Sequence, residues 1–171
     1  MSVNMDEPQL KSYLLQHFGK DFIVRDEVEG VFLVDGTTSV FIDYLMYPSE
    51  KLIEQGFKEE WFGVEVKAIG EGPKKGLQVA WQSITYSQSK FDGIRPAFVL
   101  IYPPITEFFG SHINGSYIKM LLQKANVGYI EINKFSKVWK IMFGANSYFY
   151  SDTGLSKTPN IATKRNIGSW K

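Results

Sequence analysis

Trp61-Phe62-Gly63-Val64-Glu65-Val66-Lys67-Ala68-Ile69 is the stretch on which the fold turns. Apolar residues at Phe62, Val64, Val66 and Ala68 alternate with Glu65 and Lys67, the period-two pattern of a strand over residues 61–69. Glu65 and Lys67 stand two apart, so both side chains project from one sheet face while Val66 points into the opposite layer. Burying a carboxylate and an ammonium in mid-sheet costs several kcal/mol unless they are paired or hold a metal. The pair is therefore expected at a strand end that opens into a cleft.

Upstream, apolar positions Leu10, Tyr13, Leu14 and Phe18 share one helical face, with Asp6 as cap, Pro8 in the first turn and Gly19 beyond the end, which predicts a helix over 6–18. Short β-rich runs follow at 22–28, 31–34 and 40–46, with Asp35-Gly36 as a turn, and read as a hairpin or meander. Residues 49–55 suit a short helix closed by Gly56. Downstream, residues 70–76 read as a glycine-rich loop carrying Lys74 and Lys75, and residues 77–90 as a helix. The apolar run 96–102 suits a buried strand. A helix over 114–124, a strand over 127–132 and a hairpin of 139–143 with 147–150 complete the pattern. Strands and helices alternate through the middle, so the fold class is α/β, a central mixed sheet flanked by helices. The expected organisation is one domain over 1–152 and a polar, basic, loosely held tail over 153–171 that carries Lys157, Lys164, Arg165 and Lys171.

The chain of 171 residues suits a single core, and its 44% hydrophobic and 22% charged residues are ordinary for a globular protein. No apolar run approaches the length needed to cross a bilayer and the first residues lack a secretory layout, so an intracellular, cytoplasmic location without membrane attachment is expected. The absence of cysteine excludes disulfides, thiolate zinc sites and a thiol nucleophile. Only His17 and His112 are available as imidazoles, one near a helix end and one in a loop, so any catalytic metal must take oxygen ligands. A net charge of +1 does not announce nucleic acid, which leaves that case to local charge such as Lys74 and Lys75. Asp26, Glu27 and Glu29 read as exposed positions of a hairpin, and most of the tryptophans, Trp61, Trp81, Trp139 and Trp170, as core.

A Glu-x-Lys triplet alone is weak, arising by chance on the order of once in every two chains this long. Three features sharpen it. Asp43 interrupts the apolar run Phe41-Ile42-Asp43-Tyr44-Leu45, a helix follows the Glu65-Val66-Lys67 strand, and that helix carries Gln82 and Tyr86 four apart on one face. In this order the residues resemble the Asp…(Asp/Glu)-x-Lys…Gln-x-x-x-Tyr pattern of the PD-(D/E)xK nucleases, the last element being typical of the RecB-like and Cas4-like branch. The resemblance covers roughly residues 6–102, with Ile42 in place of the proline before Asp43.

The resemblance implies a restriction-endonuclease-like core and a deoxyribonuclease that hydrolyses phosphodiester bonds in repair, recombination, phage or defence settings. It implies Asp43, Glu65 and the Val66 main-chain carbonyl as ligands of Mg²⁺ or Mn²⁺, with Glu7 on the first helix as a further ligand. Glu7 has an equally good plain reading as an acid favoured near a helix start. Lys67 is expected to act on the attacking water and the phosphate, and Gln82 and Tyr86 to hold the site and contact DNA. Lys74 and Lys75 are candidates for phosphate contacts. Competing readings are a binding domain of the same fold that no longer cleaves, and an interaction protein of viral or mobile-element origin; a homo-oligomer or protein partner stays open with both.

Overall fold

The computed structural model describes residues 5–70, 72–110, 113–143 and 146–159, and His112, Lys164, Arg165, Trp170 and Lys171 lie outside them. The sheet has nine strands in the order β4-β1-β2-β3-β5-β6-β7-β8-β9, formed by β1 (Phe22–Phe32), β2 (Ser39–Pro48), β3 (Phe62–Val66), β4 (Ser89–Phe91), β5 (Val99–Tyr102), β6 (Val127–Ile132), β7 (Trp139–Phe143), β8 (Asn146–Ser151) and β9 (Gly154–Pro159). The helices are α1 (Glu7–His17), α2 (Glu50–Glu54), α3 (Pro73–Ser87) and α4 (Ile113–Lys124). An antiparallel meander β1-β2-β3 meets a parallel centre β3-β5-β6, and the sheet ends in an antiparallel meander β6 to β9. The parallel strands follow crossovers through α3 and through α4, the usual way to join them.

Each face of the sheet has its own core. On one side Leu10 and Leu14 of α1 lie over Tyr44, Met46, Phe62, Val64, Val66 and Leu100. On the other, Val79 and Ala80 of α3 and Leu122 of α4 lie over Val28, Ile42, Leu45, Val99 and Ile101. Covered on both faces, β3 and β5 are buried along their whole length. Asp6 caps α1 through a bond from the Gln9 N–H at 2.8 Å, and the Gln9 side chain answers from the Asp6 N–H at 2.9 Å.

Four expectations need correction. The run 22–28 and the start of the run 31–34 are one strand, Phe22–Phe32, with Leu33 and Val34 in the turn beyond it, and Gly30 lets the neighbouring β4 come close: a Cβ there would meet the Lys90 carbonyl oxygen at 2.4 Å. Helix α3 starts at Pro73, well placed at the first position, so Lys74 and Lys75 stand in its first turn and not in a loop. The same helix stops at Ser87, and Ser89–Phe91 becomes the edge strand β4. Finally, the tail does not begin at 153. Gly154–Pro159 pairs with β8 as β9, Leu155 packs against the α1-side core, and its N–H donates to Gln55 Oε1 at 2.9 Å. The polar composition of this strand hides Leu155 as its apolar anchor.

Candidate functional site

Strands β2 and β3 are paired from Met46↔Phe62 to Tyr44↔Val64 and then part. Asp43 and Glu65 are the next residues on each side of the fork. Their carboxylates take over where the ladder ends. Asp43 Oδ2 accepts from the Val66 N–H at 2.8 Å, and Glu65 Oε2 accepts from the Asp43 N–H at 3.4 Å. Lys67 N–H bonds to the Tyr102 carbonyl on β5, so the intervening Val66 presents its backbone groups to the β2 side.

The far edge of the fork is irregular too. Val24 and Met46 lie on the α1 side of the sheet, but Val28 and Ile42 lie on the α3 side. The change of face falls at Glu27, with a φ of 49°, which stands between the pairs Asp26↔Tyr44 and Val28↔Ile42 and so opposite Asp43. A left-handed glutamate inside a strand stores strain of about 1 kcal/mol or more, and here it marks the point on β1 beside Asp43 of β2 where both strands change face. Asp26, Glu27 and Glu29 are all exposed, as expected of the hairpin.

Helices on both faces reach into the fork. From α1, Lys11 Nζ lies 2.7 Å from Asp43 Oδ1 and 3.5 Å from Glu7 Oε1, and the other Glu7 oxygen lies 3.8 Å from Lys67 Nζ. From α3, the Tyr86 hydroxyl interacts with the Glu65 carboxyl. Glu65 is only 4% exposed. Burial and then the neighbouring Asp43 charge push its pKa up to about 8, against the pull of Lys67, the Asp43 N–H and Lys11. Burial also raises the Tyr86 pKa, reinforced by the charges of Glu65 and Asp43. Burial works against the ammonium of Lys11, but the hydrogen bond and charge of Asp43, with Glu7, outweigh it and raise its pKa.

Asp43, Glu65, Lys67, Tyr86 and Glu7 thus come together. Gln82 lies with Tyr86 in an adjoining groove, where its Oε1 is buried without a hydrogen-bond partner. Lys74 and Lys75 stand at the start of α3, outside this cluster. Glu7 is the counter-ion of two lysines, and among the described residues no three His, Asp or Glu side chains are placed to share one ion. The oxygens the two sides of the fork carry are the Asp43 and Glu65 carboxyls and the Val66 carbonyl, all hard donors of the kind Mg²⁺ or Mn²⁺ takes. A neutralised acid pushed against a second carboxylate is also a place where a divalent cation relieves repulsion, so the residues fit such an ion once Lys11 yields Asp43.

Lys11 is the residue the sequence pattern did not mark. Its one signal is its place four residues after Glu7, on the same helix face. Of the tryptophans, Trp139 is core, Trp61 is half-buried and Trp81 is 77% exposed. Comparison of the chain with known protein families, with curated proteins and with solved structures finds no match.

Proposed function

We propose that the chain is a divalent-metal-dependent nuclease with a restriction-endonuclease-like core, cutting phosphodiester bonds in DNA. The observation that carries this reading is the fork of β2 and β3, where Asp43 and Glu65 each accept from the other strand's main chain and Tyr86 and Lys67 close on Glu65. Further support comes from the order of elements: α1, the meander β1-β2-β3, then α3 crossing to a parallel β5. Asp43, Glu65 and the Val66 carbonyl would hold the ion, and a bound divalent ion supplies Lewis acidity toward a phosphate oxygen and acidifies a water.

The remaining work falls to side chains. Lys67, held by Glu7 and close enough to lower the Glu65 pKa, is aimed at the same space and would donate to a phosphate oxygen or hold the attacking water. Tyr86 fixes the Glu65 carboxyl, and its high pKa keeps it a hydrogen-bond donor at neutral pH. Lys11 has to leave Asp43 Oδ1 before a cation can use that oxygen. Among the described residues no helix is long and apolar enough to cross a membrane.

The test is cleavage of labelled single-stranded and duplex DNA in Mg²⁺ and Mn²⁺. Asp43→Ala, Glu65→Ala and Lys67→Ala should each remove the activity, and equal cleavage by wild type and all three would mark it as a contaminant's. Lys11 favours one second reading, a domain of this fold whose ammonium has taken the metal's place and which binds without cutting. Calorimetry that finds no Mg²⁺ or Mn²⁺ binding, together with no cleavage, would select it.

A further inference from the structure

On the α1 side of the sheet a cavity of about 460 Å³ opens at the carboxyl ends of the parallel strands β5 and β6, where ligands of α/β sheets usually sit. Its wall includes Tyr13 of α1, Tyr102 at the end of β5, Glu107 in the turn after it, and Lys134, Phe135 and Lys137 in the turn after β6. Asn133 Oδ1 folds that second turn by accepting from the Phe135 and Ser136 N–H groups at 2.9 and 3.0 Å, and the Phe135 ring is left 85% exposed.

Two ammoniums of this turn lack a carboxylate. Lys137 Nζ reaches across to α1 and bonds neutral oxygens, the Tyr13 hydroxyl at 3.2 Å and the Lys134 carbonyl at 2.7 Å. Lys134 Nζ lies 5.0 Å from the centroid of the Phe135 ring. Glu131, which also lines the cavity, is paired with Lys140 at 3.7 Å. Among the described residues the charge of the turn is therefore not neutralised. The β5 side has the opposite chemistry. Glu107 is exposed there, and burial, Tyr13 and the Glu107 charge together raise the pKa of the Tyr102 hydroxyl, so carboxylate and hydroxyl are neighbours.

We propose that this cavity binds a nucleotide, with its phosphate on Lys134 and Lys137, its base against the Phe135 ring and the amino edge of the base toward Glu107. A ligand here has to bring negative charge to one side, N–H donors to the other and a flat face between them. An acidic peptide meets the first need but sets further carboxylates against Glu107, and an apolar helix leaves both ammoniums uncovered. A nucleotide meets all three. The inference does not need the nuclease reading, although Tyr102 is the strand partner of Val66, which sets the cavity one strand from the fork.

The experiment uses the full chain in EDTA and ligand-observed NMR titrations with deoxyadenosine monophosphate, deoxyadenosine, inorganic phosphate, a twelve-nucleotide single strand and a glutamate octapeptide. Phe135→Ala should weaken nucleotide binding about tenfold, as loss of one base–aromatic stack does. Lys134→Gln should weaken the monophosphate about fivefold, the worth of a charge-assisted bond near the surface, and leave deoxyadenosine unchanged. Both side chains are exposed, so the core is untouched, and Trp81→Ala, removing a 77% exposed ring on α3, should have no effect. A fall in the strand's affinity on Phe135→Ala names a nucleic acid strand as the source, and a fall in the monophosphate's alone names a free nucleotide. Monophosphate and strand affinities that are both indifferent to Phe135 and Lys134 overturn the proposal. So does phosphate that binds as tightly as the monophosphate, which leaves a simple anion site, or a preference for the octapeptide, which assigns the turn to a protein. If Phe135-dependent binding is found without metal-dependent cleavage, the nuclease reading fails and this site stands. If cleavage depends on Asp43 and Glu65 but nucleotide binding is indifferent to both variants, the site fails and the nuclease reading stands.

Discussion

The β6 to β9 end of the sheet and the fork of β2 and β3 are built by different rules. From β6 to β9 the antiparallel pairing runs without a break and aromatic rings fill the inner face: Phe98 stacks on Phe143 at 3.8 Å, Phe57 lies 4.6 Å from Tyr148, and Trp139 sits among Phe18, Phe22 and Tyr150. At the fork of β2 and β3 the ladder stops, a glutamate sits in a left-handed conformation, a carboxyl is buried beside another, and an amide oxygen has no partner. One region spends its sequence on stability and the other gives stability up. A local conflict that folding alone would remove is the signature of a site selected for something else.

If that contrast is right, damage to the aromatic end should cost folding and spare chemistry. Trp139 is 1% exposed, and its Nε1–H donates to Asp21 at 3.0 Å, joining β7 to the turn after α1. Trp139→Ala should destabilise the protein by about 3–5 kcal/mol in a denaturant titration, with metal affinity per folded molecule unchanged. An effect under about 1 kcal/mol would show that the aromatic end is not the anchor. Gly128→Ala should be nearly as severe, since its Cβ would fall 1.5 Å from the Met142 carbonyl oxygen and force β6 off β7.

The fork should behave in the opposite way and show it through pH. Glu65 has a folded-state pKa raised to about 8, so the folded metal-free protein binds its proton more tightly than the unfolded chain does. That contribution to stability is present in full below the ordinary carboxylate range and is lost as pH rises through about 8. A divalent ion needs the carboxylate, so the rise in melting temperature on adding Mg²⁺ should grow from about pH 5 to about pH 8, and calorimetry near neutrality in buffers of different ionisation enthalpy should find up to about one proton released per ion. Glu65→Gln, neutral at every pH, should melt at or above the wild-type temperature without metal, and gain nothing from Mg²⁺. A metal-induced shift that is the same at both ends of this range would remove the buried acid from the argument.

Much of this was legible beforehand, and the failures have common causes. The pattern around Glu65 and Lys67, the capped 3.6-residue period of α1 and the apolar run into β5 are plain, because α1 buries one continuous face and β3 and β5 are buried on both. Lys74 and Lys75 read as loop residues because a proline beside a glycine signals a loop, while proline is also at home in a helix's first turn. Strand β9 escapes the sequence pattern because backbone pairing to β8, not an apolar period, defines it. At the site, Asp43, Glu65, Lys67 and Tyr86 are marked by residue type at fixed spacing. The flip at Glu27 and the approach of Lys11 are tertiary facts, since they depend on how β1 and α1 lie against β2.

Lys11 yields the smallest effect and the sharpest sign. If the fork is a metal centre held closed by an ammonium, the residue that holds it closed should oppose the ion. Lys11→Met keeps most of the unbranched side chain and removes the charge, so Mg²⁺ or Mn²⁺ affinity measured by calorimetry should rise about two- to fivefold, the worth of a partly exposed ion pair. Lys67→Met, which removes an ammonium from Glu7 and leaves Asp43 paired, should not produce that gain. Should Lys11→Met weaken metal binding instead, the ammonium would be supporting the carboxylates by orienting Asp43, and the fork would be preorganised for the ion rather than competing for it. The direction of this one change therefore separates a centre that must open from one already set.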